Sequence, residues 1–193
     1  QAMRLTDGRT LSEVIGPKLF SRLMQRAAIY GLPAGHMNTL KPWAAGLVFN
    51  LPVAELDRGA AGALALDRAL QQAADSRGIP VYGLESVTEQ IAAFSDMSEK
   101  DQIESLKMTI ELNPQIDALF ADMKAAYLRG DLDYLHGMAR RMFSGQNRRL
   151  IEQFEERFIG LRNRRMANRM ARHVKQGSAF VAIGALHLSG EDG

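Results

Sequence analysis

At 193 residues the chain can bury one sizeable core or two small ones, and its 46% apolar content is ordinary for a globular protein. It has no cysteine, which excludes disulfides, thiolate metal sites and cysteine nucleophiles. The net charge of +2 is unevenly spread: residues 140–175 hold eleven Lys/Arg against three Glu, leaving the rest of the chain acidic. No run approaches the roughly 18 apolar residues of a membrane span. The opening five residues carry no apolar core of signal-peptide length.

In chain order, residues 5–9 read as a turn and Thr10 as a helix N-cap, with Glu13 completing a capping box. The apolar spacing of Leu11, Val14, Leu19, Leu23 and Ala27 predicts helix to about Tyr30, divided at Pro17. A Gly/Pro-rich loop follows, with His36 in it as an ordinary polar residue. Pro42 suits a first helical turn, and Trp43, the single Trp, is a candidate core anchor beside Leu47, Val48 and Phe49. Residues 62–77 read as helix with Gly78 as its stop. A short apolar run at 79–84 then reads as a strand, ending in Gly83–Leu84–Glu85.

Thr88 to Phe94 predicts a short helix, and Ser98 caps a longer one carrying Ile103, Leu106, Ile110 and Leu112. Asn113–Pro114 breaks it, Asn113 being suited to cap the next. Ile116, Leu119, Phe120, Met123 and Tyr127 form one stripe, and Gly130 ends that helix. Leu132, Leu135, Met138 and Met142 are expected to face inward. A long helix is expected over 146–176, with Leu150, Ile151, Phe154, Phe158 and Leu161 on one face and Gly177 closing it. A second apolar strand, 179–184, leads into Gly184-x-x-His187.

The expected fold class is therefore α/β and strongly helix-rich. Strands near 79–84 and 179–184 would form a small buried sheet, parallel because both runs are apolar on two faces. Glu85 and His187 would then share the rim at the carboxyl ends of the strands, where open α/β sheets place ligands.

Four pieces, in order, carry a resemblance to the TraB/PrgY/GumN family, which includes the TIKI-type proteases. They are Leu40–Lys41–Pro42–Trp43; Leu66–Asp67 with the run from Gly78 to Ser86; Arg162–Asn163 with Met166; and Val181 to Leu188 with its Gly-x-x-His. Ala65 stands where the family has Gly. The resemblance implies one domain over 1–193, incomplete at both ends. The family's N-terminal Gly-x-x-His strand, and the helix and strand after the second such motif, have no counterpart.

It further implies a metal-dependent peptidase or hydrolase of the bacterial cell envelope or periplasm, acting on a peptide or small molecule. Mn, Co or Zn would be held by His187 and Glu85. Glu85, Arg162 and Asn163 would be catalytic, and Gly83 and Gly184 would be the motif glycines. An open-sided ion of this kind polarises a carbonyl and acidifies bound water. Two protein ligands make a poor site, so this form is expected to bind metal weakly or not at all, which leaves its activity open.

Other readings stay open. His187 reads equally as an ordinary strand-end residue, Glu85 as a partner for the helix start at Ser86, and Arg162 as one of a solvated row with Arg164, Arg165, Arg169 and Arg172. His136 and His173 have no partner at metal spacing. The alternative function is a non-catalytic interaction module, with a homo-oligomer compatible. A weaker one is nucleic-acid or anionic-surface binding through 140–175, disfavoured because its cations show no clear common face and no nucleic-acid motif appears.

Overall fold

The computed structural model describes residues 2–142, 151–152 and 155–190, the backbone alone over 139–142. It is 70% helical with 1% strand. The chain divides into two compact units, residues 1–58 with 91–121, and 59–90 with 122–193. No described helix is long and apolar enough to cross a membrane.

The first unit is built by local signals that act as expected. Thr10 caps α1 (Leu11–Ile15), with both halves of the capping box to Glu13 in place. Gly16, at φ +79°, turns the chain, and Pro17 opens α2 (Pro17–Ile29) at its first position. His36 lies exposed in a single helical turn, α3 (Ala34–Met37), rather than in an open loop. α4 (Pro42–Gly46) is buried throughout and runs into a 3₁₀ turn, Leu47–Asn50. Its small residues let α8 (Glu99–Leu112) approach closely: a Cβ at Gly46 would sit 3.5 Å from Leu106 Cδ1. Leu11, Leu23, Ala27, Met37, Ala45, Phe49, Leu106 and Ile110 form the core. Trp43 is buried as expected and stacks on Phe94, ring centroids 5.5 Å apart.

Asn113 does not cap the next helix as expected: it ends α8 and opens a 3₁₀ turn, Asn113–Gln115, with no side-chain cap bond. It is buried, and its Nδ2 donates to Phe49 O at 3.0 Å and to Tyr30 Oη at 2.7 Å, tying the end of α8 to the 3₁₀ turn and α2. α5 (Val53–Ala60) was not expected from the apolar pattern.

In the second unit, α6 (Leu66–Asp75) ends at Gly78, φ +66°, where the Ile79 N–H reaches back to Ala74 O at 3.0 Å. α7 (Val87–Ser95) and α9 (Ile116–Leu128) each begin in one unit and end in the other. On α9, Ala126 is the buried residue and Tyr127 is exposed, so the expected stripe is not buried to its end. α10 (Leu132–Met142) follows Gly130 and buries Leu135 and Met138; the Met142 side chain lies outside the described residues. So do Leu150 and Phe154. A π-helical stretch, Glu155–Gly160, leads into α11 (Leu161–Gln176). Met166 is its buried anchor, whereas Leu161, expected on the apolar face, is exposed.

The expected sheet is not formed. Among the described residues there is one isolated antiparallel bridge, Arg4 with Leu40, and no strand ladder. Segments 79–84 and 179–184 form no strand, and most of their large apolar side chains are open to solvent, Ile79 at 52% and Phe180 at 82% exposure. An apolar run records that a segment suits a pleated, buried surface; the neighbour that would satisfy its backbone has to come from elsewhere. Here the intervening chain is committed to helices by strong caps and glycine stops, and neither segment finds a partner strand.

Candidate functional site

The expected residues do meet, by a different device. α11 carries Arg162 and Asn163 side by side, and each holds one of the two motif ends. Gly184 precedes a 3₁₀ turn, Ala185–Leu188, closed by the His187 N–H donating to Gly184 O at 2.9 Å. Asn163 Nδ2 donates to His187 O at 3.2 Å, and Asn163 Oδ1 lies 2.6 Å from His187 Nδ1. An amide oxygen only accepts, so this contact fixes the proton on Nδ1 and leaves the Nε2 lone pair free. Nε2 has no partner among the described residues. Burial first, then the Arg162 charge, hold the His187 pKa below its usual value against an opposing pull from Glu85. The imidazole is therefore neutral at neutral pH.

Glu85 is taken up entirely by Arg162. The guanidinium Nε donates to both carboxylate oxygens at 3.0 and 3.1 Å, and Nη2 donates to Oε2 at 2.7 Å. The Glu85 side chain is 3% exposed and that of Arg162 23%. Arg162 Nη1 is spent on Phe158 O at 3.3 Å, one turn back on the π-helical stretch. Gly83 leaves little room: a Cβ there would lie 3.3 Å from Glu85 O.

Around this pair runs a longer ladder. Ser86 caps α7, its N–H donating to Glu89 Oε2 at 2.8 Å while its Oγ accepts from the Glu89 N–H at 3.2 Å. Arg169 grips Glu89 with two N–H donors at 2.8 and 2.7 Å and gives a further bond to Leu84 O at 2.8 Å. These bonds from Arg169, then those from Ser86, hold Glu89 far below the usual carboxylate range. Arg165 sits between, 3.6 Å from both Glu85 and Glu89.

Three of the cations over 140–175, Arg162, Arg165 and Arg169, thus share one helix face. The i, i+3, i+7 spacing and the Ser86-x-x-Glu89 capping pattern were the available signals for Arg165, Arg169 and Glu89. Tyr82 stacks on His173 at 4.6 Å, so His173 packs against the same segment.

The metal expectation meets this geometry badly. Among the described residues no three His, Asp or Glu side chains converge. Both oxygens of Glu85 face a guanidinium, and Nδ1 of His187 faces an amide oxygen, so the pair presents Nε2 alone. Glu85 and His187 as placed here do not fit a zinc-type ion, which takes three or more protein ligands. Comparisons with curated proteins and with solved structures give no significant match. A family comparison does: the chain matches the TraB/PrgY/gumN family over residues 1–193 and belongs to it.

Proposed function

We propose that the chain is a hydrolase acting on peptide bonds, with His187 as general base and its Nε2 as the working atom. The observation that carries this is the Asn163 Oδ1 contact at 2.6 Å to Nδ1, which sets the tautomer and aims the ring. Burial keeps that ring neutral and able to accept a proton. In the step proposed, Nε2 removes a proton from water as the water oxygen bonds to the substrate carbonyl carbon. The C–N bond then breaks as the proton passes from Nε2 to the leaving nitrogen. Glu85 is a charge partner for Arg162 rather than a base or ligand, since its oxygens are occupied. Arg165, held only at 3.6 Å by its two carboxylates, is the cation left to meet an oxyanion. The family resemblance that suggests a peptidase also suggests the cell envelope as its place of action.

Turnover of a mixed peptide library, with and without chelator, tests the reading. His187→Ala should lower the rate by about 10²–10⁴-fold, the usual worth of a positioned general base, and chelator should leave it unchanged. Activity that appears only with added Mn²⁺, Co²⁺ or Zn²⁺ would return Nε2 to the role of a metal ligand. No turnover under either condition would favour the interaction module, which the closed Glu85–Arg162 pair also suits.

A further inference from the structure

His136, which has no partner at metal spacing in the sequence, lies against the residues that follow the His187 turn. It sits on α10 between the buried anchors Leu135 and Met138, so its backbone is well fixed. Above it are Ser189 and Gly190, the residues that follow the Ala185–Leu188 turn. Ser189 is 5% exposed, and its Oγ donates to Leu186 O at 3.1 Å. A hydroxyl has one proton to give, so the contact of 3.4 Å between Ser189 Oγ and His136 Nδ1 is one in which the imidazole N–H donates. Gly190 has φ +80°, and a Cβ there would lie 3.3 Å from His136 Cε1 and 3.6 Å from Nδ1. The ring therefore fills the space under this bend, and only glycine fits the bend on both counts.

The geometry points to His136 as a positioning residue for His187; this rests on the reading of His187 as general base. The short turn is gripped from two sides. Asn163 on α11 holds the His187 ring and its carbonyl. His136 on α10 holds the residue two places on. Loss of either grip lets the turn rotate about its remaining attachment, and the imidazole is then no longer held against Asn163 Oδ1. His136 makes no hydrogen bond to His187, so its effect passes through the turn.

The test uses the whole chain with ¹⁵N-labelled histidine. At a fixed pH near 8, the long-range ¹H–¹⁵N spectrum of the wild type should show His187 as a single tautomer, Nδ1 protonated and Nε2 bare. In His136→Ala the two His187 nitrogens should move towards the averaged shifts of a mixed tautomer. Turnover should fall about tenfold in kcat with little change in KM, as misplacement rather than lost binding requires. His136→Asn, which keeps an N–H donor close to the Nδ1 position, should recover most of both signals. Ser189→Ala removes the contact with His136 together with the bond to Leu186 O and should shift the tautomer in the same direction; if His136→Ala fails to fold, His136→Phe, which keeps a ring under the bend without the donor, decides the matter.

A His187 spectrum identical to wild type in Ser189→Ala and in a folded His136→Ala would overturn the proposal. The two readings fail separately: a wild type without peptidase activity removes the general base, while the tautomer signature still reports whether His136 positions the ring.

Discussion

Arg162→Ala tests the centre of the site through stability. The substitution leaves the Glu85 carboxylate, 3% exposed, with Arg165 at 3.6 Å as its remaining cation. Removing one member of a buried ion pair costs about 3–5 kcal/mol, because the survivor keeps its desolvation penalty. Two features reduce that here: Arg162 is itself 23% exposed, and Arg165 can swing closer. The expected loss is about 2–3 kcal/mol, including the bond to Phe158 O. Trp43 lies in the other unit and cannot report this loss, so the assay is amide hydrogen exchange along α11. At about 1.4 kcal/mol per factor of ten, exchange there should quicken by roughly 30- to 150-fold, with α8 little changed. The Glu85→Gln background supplies the control. With the charge gone, Arg162→Ala should cost about 1 kcal/mol or less, giving a coupling of 1 kcal/mol or more. A change under about threefold in α11, or equal losses in both backgrounds, would refute the view that this pair holds the motif ends together.

Asn113→Ala should destabilise the first unit by about 2–3 kcal/mol, since Phe49 O loses its donor in the interior; urea denaturation followed by Trp43 fluorescence reads it. Tyr30→Phe, losing the bond to Leu51 O at 2.9 Å, should cost about 1 kcal/mol and be less than additive with it. His187 contributes a pH-dependent term. Its pKa in the fold is depressed, so folding favours the neutral ring; the contribution is complete above the free value of 6.5 and is lost as pH falls through the lower folded value. His187→Gln should flatten that part of the stability–pH curve for α11. Glu89, also depressed, contributes above its free value of 4.5 and loses its hold on Arg169 only in stronger acid, which exchange at the start of α7 would show.

What was legible in the sequence is what is decided within a few residues. The Thr10–Glu13 box, the Gly16–Pro17 break, the Ser98 cap and the stops at Gly78, Gly130 and Gly177 all stand where the residue types place them. Each rests on a local side-chain bond or pair of bonds, or on one positive φ. The sheet was a different kind of inference. It needed two segments about 100 residues apart to pair, and apolar content says nothing about which partner, if any, a strand will find. The π-helical stretch before α11 was equally hidden, since it departs from the period by which helices are recognised.

The site was legible as a set of residues and illegible as a charge arrangement. Glu85, Arg162, Asn163 and His187 were named through the family motifs, and the fold brings all four together. The sequence does not say that the motif arginine spends itself on the motif glutamate. A count of eleven cations over 140–175 suggests a surface reaching outward. In the fold, Arg162, Arg165 and Arg169 are aimed at Glu85, Glu89 and Leu84 O. That answers how a segment without a ladder keeps its place. Arg169 supplies Leu84 O with the donor a neighbouring strand would otherwise give, and Arg162 supplies Glu85 with its counter-charge. The arginine face of α11 thus performs, with side chains, the task that the apolar pattern assigned to a sheet.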